Sequence, residues 1–283
     1  MVFAVFKSNA TEHSRHRPDV TAAPPAVASA ATNKGRIIGV LSAKGGSGAT
    51  TLAVNISAGL AEGFGSTVLV DANLQNPDAA LLLGQTAQFG LLELLTGAST
   101  PTADAVDACS VHFGGRKHPW SLLSPPVTGE AALKTQLTSV ANCLLTTRVN
   151  ADYWVVDLPN HLDRHLVTML DACDVIVVVF EETMAGVSAA RRWWNTFTQL
   201  DYRAGRLQFV MNRAGSRNRA AQGRIHELIP TDAVRVPNAF DLLDESLAAG
   251  DPPMITHRKH KFSQATYQVV QNIVRSLESS NNV

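Results

Sequence analysis

The chain is poor in the features that mark an exported or membrane-spanning protein. Its 283 residues include three cysteines, Cys109, Cys143 and Cys173, too few and too widely spaced for a disulfide framework or a zinc knuckle and pointing to a reducing compartment. No run approaches the roughly 20 apolar residues that cross a bilayer; the nearest is the short stretch Val175–Phe180. The apolar start, Met1 to Lys7, is too short for the core of a secretory signal, and no basic segment precedes it. A cytoplasmic location is therefore expected, with any membrane contact peripheral. Charge of one sign is also lacking: 24 basic residues meet 24 acidic ones. The overall balance gives no reason to expect nucleic acid or an anionic surface as partner, and either would need a local patch.

What is present is ample apolar content, 45%, enough for the core of one large α/β domain or two small ones. Residues 8–34 are rich in Ala, Pro, Ser and Thr with Pro24-Pro25 at their centre and no apolar periodicity, which predicts a disordered leader over residues 1–34. Phe3 and Phe6 could form a short docking peptide on it, although a loose end is the plainer reading. From Arg36 onward, short β-rich runs alternate with helical segments, the pattern of a mostly parallel, twisted sheet covered on both faces. The runs are Ile37–Ser42, Thr67–Val70, Trp154–Val156, Val175–Phe180 and Gln208–Met211, with Trp120–Leu123 and Ala233–Val236 as further strands. Helices are expected near Thr50–Ala61, Glu130–Thr147, Met184–Leu200, Phe240–Ala249 and Ser263–Leu277. No internal repeat is visible, so residues 35–283 read as a single α/β domain.

The first strand runs directly into Ala43-Lys44-Gly45-Gly46-Ser47-Gly48-Ala49-Thr50-Thr51, and Thr50 opens an amphipathic helix. A glycine-rich turn between strand and helix is the context of a phosphate-binding loop. Gly45, Gly46 and Gly48 let the backbone wrap closely around phosphates, and the N–H groups of the helix start supply donors and a favourable dipole. The Thr50 hydroxyl is the expected Mg²⁺ ligand. The pattern G-x-x-x-x-G-K-[ST] would put lysine just before that hydroxyl; here the position is Ala49. A second element, Tyr153–Pro159, is an apolar strand ending in Asp157, which would lie beside the phosphate loop and hold the metal or its water.

Together the Lys-Gly-Gly-x-Gly-x-Thr-Thr loop, the strand end Leu69-Val70-Asp71 and Val155-Val156-Asp157-Leu158-Pro159 resemble the deviant Walker A ATPases that include ParA and MinD. Val70–Gln75, Asp78–Leu83, Gly90–Leu95 and Leu122–Pro126 resemble the TadZ/CpaE pilus assembly branch in detail. The resemblance runs from about Gly35 to about Leu277. It implies an ATP and Mg²⁺ site in which Lys44 is the signature lysine, reaching phosphates across a nucleotide-sandwich homodimer. Asn212 would read adenine, and Pro237-Asn238 would cover the base. The nucleotide contacts so implied are Gly45, Gly46, Ser47, Gly48, Ala49, Thr50, Thr51, Asn212, Pro237 and Asn238, with Thr50 and Asp157 at the metal and Lys44, Asp71 and Asn73 at the hydrolytic centre.

Two departures bear on turnover. Ala49 removes the cation that would sit on the β and γ phosphates, and positioned charge of that kind is most of phosphoryl-transfer catalysis, a supplied arginine being worth roughly 10³ to 10⁵ in rate. Relatives of ParA and MinD carry Asp-x-Asp after the second strand, the later Asp orienting the attacking water. Here the sequence is Asp71-Ala72-Asn73, and an amide cannot take a proton as a carboxylate can. Binding should suffer less than turnover, so an ATP-binding protein with slow or absent hydrolysis is expected. It would be a dimeric scaffold that places a Flp-type pilus or secretion apparatus, at a pole or the inner face of the cytoplasmic membrane. The alternative is an active ParA- or MinD-type switch that partitions DNA or positions a structure. Many CpaE-like proteins resemble receiver domains at their amino end, and this chain does not.

Other signals weigh less. His161 and His165 have helical i, i+4 spacing but no third metal ligand, and read as a solvated helix start. His257-Arg258-Lys259-His260-Lys261 is the one basic cluster, a weak footprint for DNA, which is not expected as a partner. The last helix carries Phe262, Tyr267, Val270, Ile273, Val274 and Leu277 but in its length only Arg275 as a cation, so it should dock on the domain rather than on lipid. Adjacent Trp193 and Trp194 should not both face one core, which predicts one exposed anchor for a partner.

Overall fold

The strands of the chain are buried on both faces, which is why they read as continuous apolar runs rather than as alternation. The computed structural model describes residues 35–86, 90–96, 101–114, 117–125, 136–215 and 232–279, all within one compact unit, Asn33–Val283. In chain order these are β1 (Arg36–Ser42), α1 (Ala49–Gly63), β2 (Thr67–Asp71), α2 (Ala79–Leu82), α3 (Leu91–Thr96), α4 (Ala103–Ala108), β3 (Val111–Phe113), β4 (Trp120–Leu123) and α5 (Leu137–Thr147). There follow β5 (Tyr153–Leu158), α6 (Arg164–Ala172), β6 (Val175–Glu181), α7 (Met184–Gln199), β7 (Leu207–Ala214), β8 (Val234–Pro237), α8 (Phe240–Ala249), α9 (Pro253–Thr256) and α10 (Lys261–Ser279).

The eight strands form one sheet in the order β3-β4-β2-β5-β1-β6-β7-β8. Every pairing is parallel except β3 with β4, which is antiparallel. The order reverses at β1, which is flanked by β5 and β6. At such a switch point the loops leave in opposite directions and open a crevice at the carboxyl ends of the strands.

Alternation along β1 divides the core in two. Ile37 and Leu41 join Trp154, Phe180 and Phe209 in a cluster under α5, α6 and α7. Ile38 and Val40 join Leu69, Val155 and Val177 in a second cluster under α1 and α10. Both ends of α10 are anchored by buried Phe262, Val270, Ile273 and Leu277, as an amphipathic helix docked on its own domain should be. Tyr267 departs from that stripe: it is 40% exposed and lies against Phe64, their ring centroids 6.2 Å apart.

The tryptophan pair is a correction. Trp193 is buried and packs on Phe197, while half-buried Trp194 packs on Phe209 in the same cluster. A helix lying flat on a sheet presents roughly 100° or more of its circumference to it, so neighbouring large rings at the two margins of that stripe both reach the core. Neither is a bare anchor. Two further differences concern extent: β3 was not foreseen, and of the helix expected over Glu130–Thr147 only Leu137–Thr147 is seen as helix, residues 130–135 lying outside the described residues. The leader and the Phe3/Phe6 peptide also lie outside them.

Candidate functional site

The segment between β1 and α1 is held as a loop by its own backbone. The Lys44 carbonyl accepts hydrogen bonds from Ser42 Oγ and Ser47 Oγ, both at 2.7 Å, and from the Ser47 amide at 3.2 Å. The Ala43 amide donates to the Val179 carbonyl on β6 at 2.8 Å, which pins the loop to the sheet. Gly46 and Gly48 have φ of +82° and +88°, a region that costs an L side chain. Behind the loop, the Asn212 amide donates to the Ser47 carbonyl at 2.9 Å, and its oxygen accepts from the Arg213 amide at 2.9 Å. A Cβ at Gly48 would stand 2.4 Å from Asn212 Nδ2, so Gly48 and Asn212 are sterically matched.

In front of the loop is a cavity of about 480 Å³. Its walls include Gly45, Gly46, Gly48, Ala49, Thr50 and Thr51 from the loop and helix start, Asn73, Asn76 and Asp78 after β2, and Asp157, Pro159 and Asn160 after β5. The structure thus brings together most of the residues singled out in the sequence. Ser47 is buried behind the loop, and Lys44 is exposed at its outer side. Asn212, Pro237 and Asn238 stand apart from this cavity: Pro237 is opposite Ala214 across β7 and β8, and the Asn238 amide donates to the Ala214 carbonyl at 3.2 Å.

Asp71 and Asp157 are register partners on adjacent parallel strands, at the last residue of β2 and the penultimate residue of β5. Both are buried. Desolvation, and then the neighbouring Asp71 charge, push the Asp157 carboxyl well above the usual carboxylate range, against a hydrogen bond with Thr50 that favours the anion. Asp71 is pushed up to about 6, again mainly by burial, although the Ala79 and Asn73 amides donate to it. Those two bonds, 3.0 Å from Ala79 and 3.1 Å from Asn73, use Asp71 to fold the segment after β2. Asp71 therefore positions Asn73, which lines the cavity, rather than lining it itself.

This pair of carboxyls fits a divalent cation. Two carboxyls buried side by side call for a proton or a metal, and the donor set beside the phosphate loop, the Thr50 hydroxyl and Asp157, is hard oxygen. Among the described residues there is no group of three His, Cys, Asp or Glu that would cage a metal. Mg²⁺ is a hard cation that one or two protein oxygens can hold, water and phosphate completing its shell.

Several residues in or near the site escaped the sequence reading. Asn76, Asp78 and Asn160 line the cavity; their closeness in sequence to Asn73 and Asp157 was the available signal. Glu182, just past β6, has a buried carboxylate that accepts from the Gly215 amide at 2.7 Å and pairs with Arg235. Asn55 of α1 donates to the Thr51 carbonyl and accepts from the Met254 amide. No local signal marks either, since their partners are distant in sequence. His165 contacts Thr138 Oγ1 through Nδ1 at 3.0 Å, and Asp163 caps α6 through the Leu166 amide.

A P-loop fold of this order has many solved relatives. The chain is similar to a ParA family ATPase from Chlorobium tepidum (TM-score 0.76, 22% identity, covering 83% of this chain and 98% of that one). It is similar to the septum site-determining protein MinD complexed with Mg-ADP from Pyrococcus horikoshii (0.70, 20%, 84% and 95%). The Aquifex aeolicus MinC:MinD cell division protein complex also matches (0.68, 20%, 84% and 96%). At these identities the likeness establishes the fold. No curated protein sequence matches the chain. The family model ParA, described as NUBPL iron-transfer P-loop NTPase, matches residues 33–212, a span that takes in the phosphate loop, both strand-end aspartates and Asn212, and on that match the chain belongs to the ParA family of P-loop NTPases.

Proposed function

We propose that this protein binds Mg-ATP, dimerises around it, and turns it over slowly or not at all, serving as a localisation and scaffold factor for a Flp-type pilus or related secretion apparatus in the manner of the TadZ/CpaE branch. The observation that supports the reading is the composition of one cavity: Thr50 and Asp157 line it as oxygen donors that would hold a metal, and Ala49 and Asn73 line it at the positions where a fast enzyme would need a cation and a carboxylate. Mg²⁺ bound there would neutralise phosphate charge. The loop amides would bind phosphate, and Thr50 with Asp157 would orient the ion. Asn73 could hold a water by hydrogen bonds but could not accept its proton.

Lys44, exposed on the loop, suits contact with the nucleotide of a second copy. Asn212 retains one amide hydrogen and one lone pair beyond its loop contacts, enough to read adenine, with Pro237-Asn238 as the cover. We take residues 35–283 as the nucleotide-binding domain, residues 1–34 as a leader, and a pole or the inner face of the cytoplasmic membrane as the working place. Among the described residues no helix is long and apolar enough to cross a membrane.

A second reading, an active switch for partitioning or positioning, draws support from the intact Thr50–Asp157 pair. Analytical ultracentrifugation with and without Mg-ATP, with phosphate release followed on the same samples, separates the two. A nucleotide-dependent dimer without appreciable turnover supports the scaffold. Turnover stimulated by DNA or lipid supports the switch, and absence of both binding and dimerisation overturns each.

A further inference from the structure

The phosphate cavity is short of positive charge. No lysine or arginine is among the described residues that line it, Lys44 being exposed on the outer side of the loop, and two of the lining residues, Asp78 and Asp157, are acids. Within one protomer, a triphosphate seated there depends on neutral donors. The loop amides are one source. Three carboxamides, Asn73, Asn76 and Asn160, also line the cavity. Asn73 and Asn76 use their backbone amides in the turn after β2, and none of the three side chains has a hydrogen-bond partner among the described residues, so their amide hydrogens are available to a ligand.

The three are not equivalent in position. Asn73 and Asn76 belong to one turn, closed by the Asn76 amide on the Asn73 carbonyl at 3.1 Å. Asn160 comes instead from the segment after β5, three residues beyond Asp157, and leans over the phosphate loop: its Nδ2 lies 3.5 Å from where a Cβ on Gly45 would stand. Gly45 has no side chain to come between that amide and the loop backbone. A metal held by Thr50 and Asp157 bridges the β and γ oxygens of a bound triphosphate, which sets the outermost phosphate beside the carboxyl end of β5. Pro159, with its fixed φ, leads from that end to Asn160. We propose that Asn160 is a phosphate-binding residue, its side-chain N–H donating to the terminal phosphate of ATP and thereby distinguishing ATP from ADP. The inference rests on the Mg-ATP reading above. It gives to a neutral amide part of the task that Ala49 leaves undone: the amide grips the triphosphate without adding the positive charge that speeds its cleavage.

Isothermal titration calorimetry of the full-length protein with the Mg²⁺ complexes of ADP and of the non-hydrolysable analogue AMP-PNP tests the assignment. Asn160→Ala should weaken AMP-PNP binding by about tenfold, the loss of one hydrogen bond to a charged group, and leave ADP binding within about twofold of the parent. Asn160→Asp keeps the shape but turns a carboxylate toward the phosphate, and should weaken AMP-PNP at least as much. Asn160 is exposed, so both variants should melt at the parent's temperature. Equal losses for the two nucleotides, or AMP-PNP affinity unchanged in either variant, would overturn the assignment while leaving the nucleotide site standing. A parent protein that binds neither nucleotide would instead overturn the Mg-ATP reading, and this inference with it.

Discussion

Gly48→Ala tests the steric match behind the phosphate loop. The substitution places a Cβ at a residue with φ of +88°, which costs about 1–2 kcal/mol. The same Cβ would stand 2.4 Å from Asn212 Nδ2, so the Asn212 amide must leave the Ser47 carbonyl, losing a bond worth about 1 kcal/mol and leaving a buried acceptor unmet. Gly48→Ala should therefore destabilise by roughly 2–4 kcal/mol. Asn212→Ala alone gives up the same bond and should cost roughly 1–3 kcal/mol. In the double variant the bond is lost once and the clash is gone, so only the backbone strain adds. The double variant should then be less destabilised than the sum of the singles by about 1 kcal/mol or more. Urea denaturation of the four proteins measures each term, and fluorescent ATP-analogue binding shows whether the loop's grip on phosphate follows stability. Strict additivity, or a Gly48→Ala protein as stable as the parent, would refute the idea that Asn212 braces the loop.

Four further outcomes follow from the site. Asp71, whose folded value is about 6 against 3.8 in a free carboxyl, binds its proton more tightly when folded, so its contribution is full below pH 4 and is lost as pH rises through 6. Metal-free protein should thus lose up to roughly 3 kcal/mol from this group between those limits, Asp157 acting in the same direction, and Asp71→Asn should flatten that part of the urea-unfolding profile. Asp157→Asn should abolish the Mg²⁺ dependence of nucleotide binding, measured calorimetrically with and without the metal, while raising metal-free stability by relieving the paired burial of charge. Asn73→Asp combined with Ala49→Lys should raise steady-state phosphate release by about 10²-fold or more; no gain would locate the slow step elsewhere. Glu182→Ala should cost about 1–3 kcal/mol in thermal unfolding by removing a buried carboxylate that is hydrogen-bonded to the Gly215 amide and to Arg235, and Glu182→Gln clearly less.

The sheet was legible because a parallel, doubly covered strand must be apolar throughout, and Ile37–Ser42 or Val175–Phe180 can be read as little else. β3 was not, since Val111-His112-Phe113 is too short to show a period and pairs only because β4 offers it an open edge. The phosphate loop was legible for a chemical reason: glycine, hydroxyl and helix start must be contiguous to wrap one phosphate group. Asp157 followed from its place at a strand end. By contrast, the nearness of Asp71 to Asp157 depends on β5 inserting between β1 and β2, and the bracing role of Asn212 depends on a contact 165 residues apart in sequence. Such pairings arise from strand order, which no local window contains. Trp194 misled because adjacency was taken to mean opposite faces, whereas a helix lying on a sheet contacts it along a broad stripe.

The division of the core by the sheet has a practical consequence. All four tryptophans of the chain lie among the described residues, and they are unequally shared: Trp120 belongs to the cluster under α1 and α10, whereas Trp154 and Trp193 belong to the other, with Trp194 packed against it. The molecule therefore carries a natural optical reporter for each of its two halves. Emission from a chain keeping only Trp120, compared with one keeping only Trp154, would reveal whether the layer holding the phosphate-loop helix melts together with the opposite layer or ahead of it.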